Sequence, residues 1–252
     1  MTPDLASRDA VIWDYDGVKY DDKAISNHTD LCEQACADAG HALLPELSYA
    51  EALELGRKSY DRYGDCLGAH LDWATQNGRN PQEFRQQLFE LYHRNLLNHI
   101  RSGHSHMFDP VPDTIIEFSR RPHIRHGIAT HSFVDGFVRP LLNQSRLLGF
   151  FNEAAMIGMD MVGFARKSQD VASLNLALSR LNASPETAIF VEDNLKNLAC
   201  AKRLLPELVT VFMHHGRPLE PKPLFVDFQF TNNRELMQAI NSSTPRVFYS
   251  LP

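Results

Sequence analysis

Asp14 and Asp16 follow a short apolar run, Ala10-Val-Ile-Trp13, and are themselves followed by Gly17. A buried strand of that kind opens into a polar turn, here carrying two carboxyl groups two residues apart. Thr130 and Ser132 end a second apolar run, and Glu192 and Asp193 end another that begins at Thr187. Lys167 stands just before the helical stretch that precedes this last run. Taken singly, each group has a plain structural reading. Asp14-Tyr-Asp-Gly17 makes a turn, Glu192-Asp193-Asn194 an N-cap, and Lys167 a solvated lysine. Their order and shared position at strand ends suggest chemistry instead. Clustered carboxylates repel one another unless a cation lies among them, and hard oxygen donors suit Mg²⁺. Magnesium ordinarily accompanies a phosphate group, whose oxygens a lysine also neutralises. One carboxylate can attack phosphorus to form an aspartyl-phosphate, and a second can protonate the leaving oxygen. No Gly-rich P-loop of the G-x-x-x-x-G-K-[ST] type is present, which disfavours that class of nucleotide hydrolase.

These groups need a scaffold that brings strand ends together. From about Asp22 to Gly103 the pattern is helical. The spacing predicts a helix from the caps Ser26-Asn-His-Thr29 to Ala39, ended by Gly40, and a second from Tyr49 towards Tyr63. A third starts at Asn80-Pro81, with Phe84, Leu88, Leu91 and His93 to Leu97 on its apolar face. After Pro112 strands and helices alternate. Strands are expected at 124–130, 153–159, 187–191, 208–213 and 225–230. Helices are expected at 114–118, 133–142, 169–181, 195–205 and from Asn233 onward. Alternation with apolar strands indicates a parallel sheet covered on both faces, which binds ligands at its carboxyl edge.

The chain resembles the haloacid dehalogenase-like superfamily of phosphohydrolases. Four motifs in order carry the likeness: Val11-Ile-Trp-Asp14-Tyr-Asp16-Gly-Val18, Gly127-Ile-Ala-Thr130-His-Ser132, Lys167-Ser-Gln-Asp170, and Ile189-Phe-Val-Glu-Asp193-Asn-Leu-Lys-Asn197. The resemblance implies a Rossmann-like α/β core with an inserted helical cap. Residues 1–20 and 105–245 would form the core, 21–104 the cap and 246–252 a tail. It also implies roles for individual residues. Asp14 would be nucleophile and Mg²⁺ ligand, and Asp16 general acid and base with its backbone carbonyl on the metal. Thr130, His131 and Lys167 would meet the phosphoryl group, and Asp193 would be the second carboxylate ligand. An acid at Asp16 points to phosphate esters, because a departing halide needs no proton. The expected substrate is a small phosphomonoester.

His131, Ser168, Lys19 and Asn197 depart from the family's usual residues. Glu192 before Asp193, with Asn197 after it, resembles the pyrimidine 5′-nucleotidase-like branch. So do Ser59-Tyr-Asp-Arg-Tyr63-Gly64-Asp-Cys-Leu-Gly68 and Asn80-Pro-Gln-Glu-Phe84. A nucleoside 5′-monophosphate is therefore the finer expectation. Arg57, Tyr60 and Tyr63, in the densest basic-aromatic cluster of the cap, are the candidate substrate contacts. The plainer reading, a solvated basic face with the tyrosines against the core, is the preferred one. The alternatives are a phosphomutase of the β-phosphoglucomutase type and a decayed binding protein on the same core.

Composition indicates a folded globular chain. The 252 residues are 43% hydrophobic, too apolar for a disordered chain. A formal charge of −6 argues against a nucleic-acid polymer as partner. Four cysteines in this length suggest reduced thiols, and no apolar run suits a signal peptide or membrane span. A cytoplasmic monomer or homodimer is the resulting expectation. His104, His106, His214 and His215 lack the spacing and context of a known zinc motif.

Overall fold

The computed structural model describes residues 4–20, 25, 28–63 and 65–242, apart from the side chains of Tyr60, Asp61 and Tyr63. Six strands form one sheet: β1 (Ala10–Trp13), β2 (Arg125–Ala129), β3 (Phe151–Ile157), β4 (Ala188–Glu192), β5 (Val209–Met213) and β6 (Phe228–Phe230). Their order is β3-β2-β1-β4-β5-β6, with every neighbouring pair parallel. β1, β4 and β5 are buried at every position, as strands covered on both faces must be. Ile12, Phe190, Leu174, Leu178 and Leu198 belong to one hydrophobic core. Each such side chain contributes roughly 1.5–3 kcal/mol on burial. The strand order reverses at β1, because β2 and β3 lie to one side and β4 to β6 to the other. Crossovers from β1 and β4 therefore part in opposite directions and leave a crevice at their carboxyl ends.

Nine helices complete the described residues: α1 (His28–Leu43), α2 (Tyr49–Tyr63), α3 (Gly68–Gln76), α4 (Pro81–His104), α5 (Pro112–Ser119), α6 (Arg139–Gln144), α7 (Ala172–Leu181), α8 (Leu195–Leu204) and α9 (Asn233–Ser242). The chain divides into two compact units. One comprises Met1–Asp21, Asp109–His131 and Leu142–Pro252, and the other Asp22–Phe108 and Ser132–Leu141. The sheet lies in the first. The second is helical and inserted after β1, as the family resemblance implied. Its membership differs from the sequence boundaries in taking 105–108 and 132–141. Phe133 and Phe137 explain the second addition. Their rings lie 6.1 Å from Phe89 and 5.7 Å from His93 on α4, centroid to centroid.

Other departures have local causes. α1 continues past Gly40 to Leu43, and α3 was not expected at all. A Cβ at Gly40 would lie 2.5 Å from the His70 ring of α3, so this glycine makes room for a packed helix and is not a stop. α3 buries only His70 and Ala74, too few residues to write an apolar stripe. α4 starts where Asn80-Pro81 placed it, since the Asn80 side chain accepts from the Gln82 and Glu83 amides at 3.0 and 3.3 Å. Leu91 is only half-buried, and Phe89 and Ile100 extend the apolar face in its place. The segment expected as a helix from Phe133 opens with a π-type turn, Val134–Val138, before α6. The predicted caps Ser26 and Asn27, Gly64 and the tail 246–252 lie outside the described residues. All four cysteines are buried free thiols. Among the described residues, no helix is long and apolar enough to cross a membrane.

Candidate active site

Trp13 pairs with Ile128 of β2 and Val191 of β4, so the residues that follow these positions share the carboxyl edge of the central strands. The Asp14 amide donates to the Val191 carbonyl at 2.8 Å, which extends the ladder one residue and delivers the Asp14 side chain to the crevice. Asp14 Oδ1 accepts from Lys167 Nζ at 2.7 Å and from the Tyr15 amide at 2.8 Å. Lys167 is 2% exposed. Its ammonium also donates to Glu192 Oε2 at 2.8 Å and to the Ala129 carbonyl at 3.1 Å. Three acceptors thus meet the three N–H bonds of one buried cation.

The charges explain each other. Burial works against a charged Lys167, but Asp14 and Glu192 together outweigh it and hold the lysine above its ordinary pKa. Burial likewise opposes an ionised Asp14, and the Lys167 charge overcomes it, leaving that carboxyl below its usual range. Glu192 is pushed well up, by burial first and by the Asp14 charge second.

Glu192 was noted at the strand end without a role, and the structure supplies one. Its Oε1 accepts from the Asp193 and Asn194 amides at 3.1 and 3.0 Å, and its Oε2 from Lys167 and from Asn197 Nδ2 at 2.8 and 2.9 Å. Glu192 is a tie that sets the β4–α8 corner. Asn197, one of the departures from the family's usual residues, turns its amide N–H to Glu192. An acid immediately before Asp193 was visible in the sequence, but nothing in its spacing shows where it points.

Asp16 lies on the turn after β1, and Tyr20 donates its hydroxyl to Asp16 Oδ1 at 2.7 Å. Gly17 follows at φ +69°, where a Cβ would fall 2.3 Å from Asp193 Oδ2. Only glycine lets the turn approach that carboxylate. Thr130 is buried at the end of β2, its amide donating to Ile157 O at 3.0 Å. His131 Nε2 accepts from the Lys167 amide at 3.0 Å, and burial, aided by Lys167, lowers its pKa to about 4.

Asp14, Glu192 and Asp193 each offer a carboxylate oxygen within 4.8 Å of the others. Such hard donors fit Mg²⁺. Glu192 is already saturated by hydrogen bonds, so Asp14 and Asp193 are the side chains suited to a metal. Arg57 lies in the helical unit, where its Nε bonds Glu33 at 3.0 Å and bridges α2 to α1. Tyr60 and Tyr63 lie on α2, with side chains outside the described residues.

A family model described as haloacid dehalogenase-like hydrolase matches residues 8–204. No curated protein matches this chain. Among solved structures, a HAD phosphatase from Thermococcus onnurineus is 20% identical, with TM-score 0.55 and coverage of 91% of this chain and 96% of that one. A 2-haloacid dehalogenase from Pseudomonas syringae pv. Tomato DC3000 is 15% identical, with TM-score 0.57 and coverage of 92% and 98%. A β-phosphoglucomutase from Clostridium difficile is 14% identical, with TM-score 0.56 and coverage of 93% and 97%. At these identities the likeness concerns the fold.

Proposed function

The chain belongs to the haloacid dehalogenase-like hydrolases, and from this premise we propose that it is a Mg²⁺-dependent phosphatase of small phosphomonoesters, with a nucleoside 5′-monophosphate as the finer substrate assignment. The observation that carries the reading is the buried Asp14–Lys167 pair, 2.7 Å apart, with a second acid two residues beyond the nucleophile.

In this reading an Asp14 oxygen attacks phosphorus as the ester P–O bond breaks, and Asp16 gives its proton to the leaving alkoxide. Water then attacks the aspartyl-phosphate, its proton passes to Asp16, and the Asp14–phosphorus bond breaks to release phosphate. Lys167, held by Glu192 and the Ala129 carbonyl, offers fixed positive charge to the phosphoryl oxygens. Thr130 offers a hydroxyl at the same edge. Bound Mg²⁺, held by Asp14, Asp193 and the Asp16 carbonyl, would offset the mutual repulsion of substrate and carboxylates.

Asp16 separates this reading from carbon–halogen cleavage, which needs no acid for the leaving group. Asn197 gives no support to a decayed site, because its amide completes the Glu192 tie. A phosphate-release screen over nucleoside monophosphates and sugar phosphates with Mg²⁺ is the test, with 2-haloacids as a parallel arm. Release from a nucleoside monophosphate is expected. Turnover of a sugar phosphate without release would identify a mutase, halide release a dehalogenase, and inactivity of folded protein on every compound would overturn the enzyme assignment.

A further inference from the structure

We propose that His215 is a positioning residue for the turn that carries Asp16: its imidazole holds the Gly17 carbonyl and thereby fixes the turn where Gly17 stands against Asp193. The catalytic consequence rests on the phosphohydrolase reading above.

β5 ends at Met213, and the chain then reverses through His214-His215-Gly216-Arg217, with the Arg217 amide donating to the His214 carbonyl at 2.8 Å. His215 and Gly216 have φ of 47° and 83°. Two successive left-handed residues form the mirror-image turn for which Asn-Gly is the usual pair. An imidazole at the first of these positions is not what the turn itself requires. Its ring serves a distant partner instead. His215 Nε2 lies 2.7 Å from the carbonyl oxygen of Gly17, 198 residues earlier. A carbonyl only accepts, so the imidazole N–H donates.

β5 does not neighbour β1; β4 lies between them, and Asp193 follows β4. The His215 bond therefore spans the strand end where the second carboxylate stands. Gly17 is caught between the two, its α-carbon against the Asp193 carboxylate and its oxygen on the imidazole. Rotating the peptide that follows Gly17 away from His215 would move this contact and the adjoining Asp16. Among the turn's other bonds, those from the Val18 and Lys19 amides to Tyr15 O at 3.3 and 2.9 Å and from Tyr20 to Asp16 are local, and one from the Asn233 side chain to Lys19 O at 3.4 Å reaches α9 and not β5.

The test compares wild type, His215→Gly and His215→Gln. Glycine accepts the positive φ without a donor, so its unfolding midpoint stays within about 3 °C of wild type. Glutamine retains an N–H near the position of Nε2. Two readings are taken: hydrogen exchange over residues 16–20, and kcat and KM with Mg²⁺ on an alkyl phosphate and on p-nitrophenyl phosphate. In His215→Gly, exchange in this turn is expected to rise at least about tenfold. On the alkyl ester, whose leaving group needs the proton, kcat should fall about tenfold to a hundredfold with KM within about twofold. The loss should be smaller on the aryl ester, and His215→Gln should recover part of it. Unchanged exchange would overturn the positioning role. Faster exchange with no kinetic loss, or an equal loss on both esters, would overturn its link to the acid. Wild type releasing phosphate from neither ester would instead count against the phosphatase reading, and exchange would still decide whether His215 holds the turn.

Discussion

Asn197 donates its side-chain N–H to Glu192 at 2.9 Å, and both residues are buried. The bond completes a carboxylate that also receives Lys167 and two backbone amides. It also makes Asn197 a structural complement to the buried Lys167 cation. An amide suits that place because it donates, whereas an ionised acid would put a second negative charge against Glu192.

Asn197→Asp is accordingly expected to destabilise the protein by about 2–4 kcal/mol, measured by urea unfolding at neutral pH. Tighter Mg²⁺ binding with unchanged stability would mean that position 197 faces the metal instead.

Asp14→Asn should abolish turnover and leave a folded protein, since Lys167 keeps Glu192 and the Ala129 carbonyl as partners. Phosphate release and circular dichroism measure the two halves. Retained activity would remove Asp14 as nucleophile. EDTA should stop the wild-type reaction and added Mg²⁺ restore it; a chelator-resistant rate would exclude the metal from the reaction.

Lys167→Met should destabilise by roughly 3–5 kcal/mol, because it leaves Asp14 and Glu192 buried without their cation. Asp14 is held below its ordinary pKa chiefly because Lys167 overcomes the effect of burial. Its contribution to stability is therefore present above the unfolded carboxylate pKa and lost as pH falls through the folded one. Urea unfolding at pH 7 and at progressively lower pH should show the variant's deficit narrowing on acidification. A deficit that stays constant would mean the lysine acts through packing alone.

Lys19→Met should raise the unfolding midpoint. Among the described residues the buried Lys19 Nζ has no hydrogen-bond partner, and it lies 3.2 Å from the Trp13 ring centroid and 4.7 and 4.9 Å from those of Phe118 and Phe151. Burial among these rings pushes its pKa well below that of an ordinary lysine. The unfolded chain then binds a proton that the folded chain does not, and wild-type stability falls as pH drops below the unfolded lysine pKa of 10.5. The gain from methionine should consequently be larger at pH 7 than at pH 10. A loss of stability would show that the contact with Trp13 outweighs the desolvation of the amine.

By itself the sequence determined the sheet, the inserted helical block and the residues gathered at the strand ends. Those features are written locally. Buried parallel strands are apolar runs, their ends are marked by Asp, Thr and Glu, and Asn80-Pro81 pairs a capping side chain with a proline suited to a first helical turn. Tertiary structure decided which of those residues point where. Glu192 and Asp193 are sequence neighbours, yet Glu192 is consumed by four hydrogen bonds while Asp193 stands against Gly17. Gly40 reads as a helix stop until His70 occupies the space of its missing side chain. Lys19 stands out in sequence only as a departure from the family's usual residue, and folding sets its amine against Trp13, Phe118 and Phe151. His215 shows no relation to the Asp14–Asp16 turn until folding joins residues 198 apart. Each of these depends on contacts between distant segments, and local pattern carries no record of which partner packing will supply.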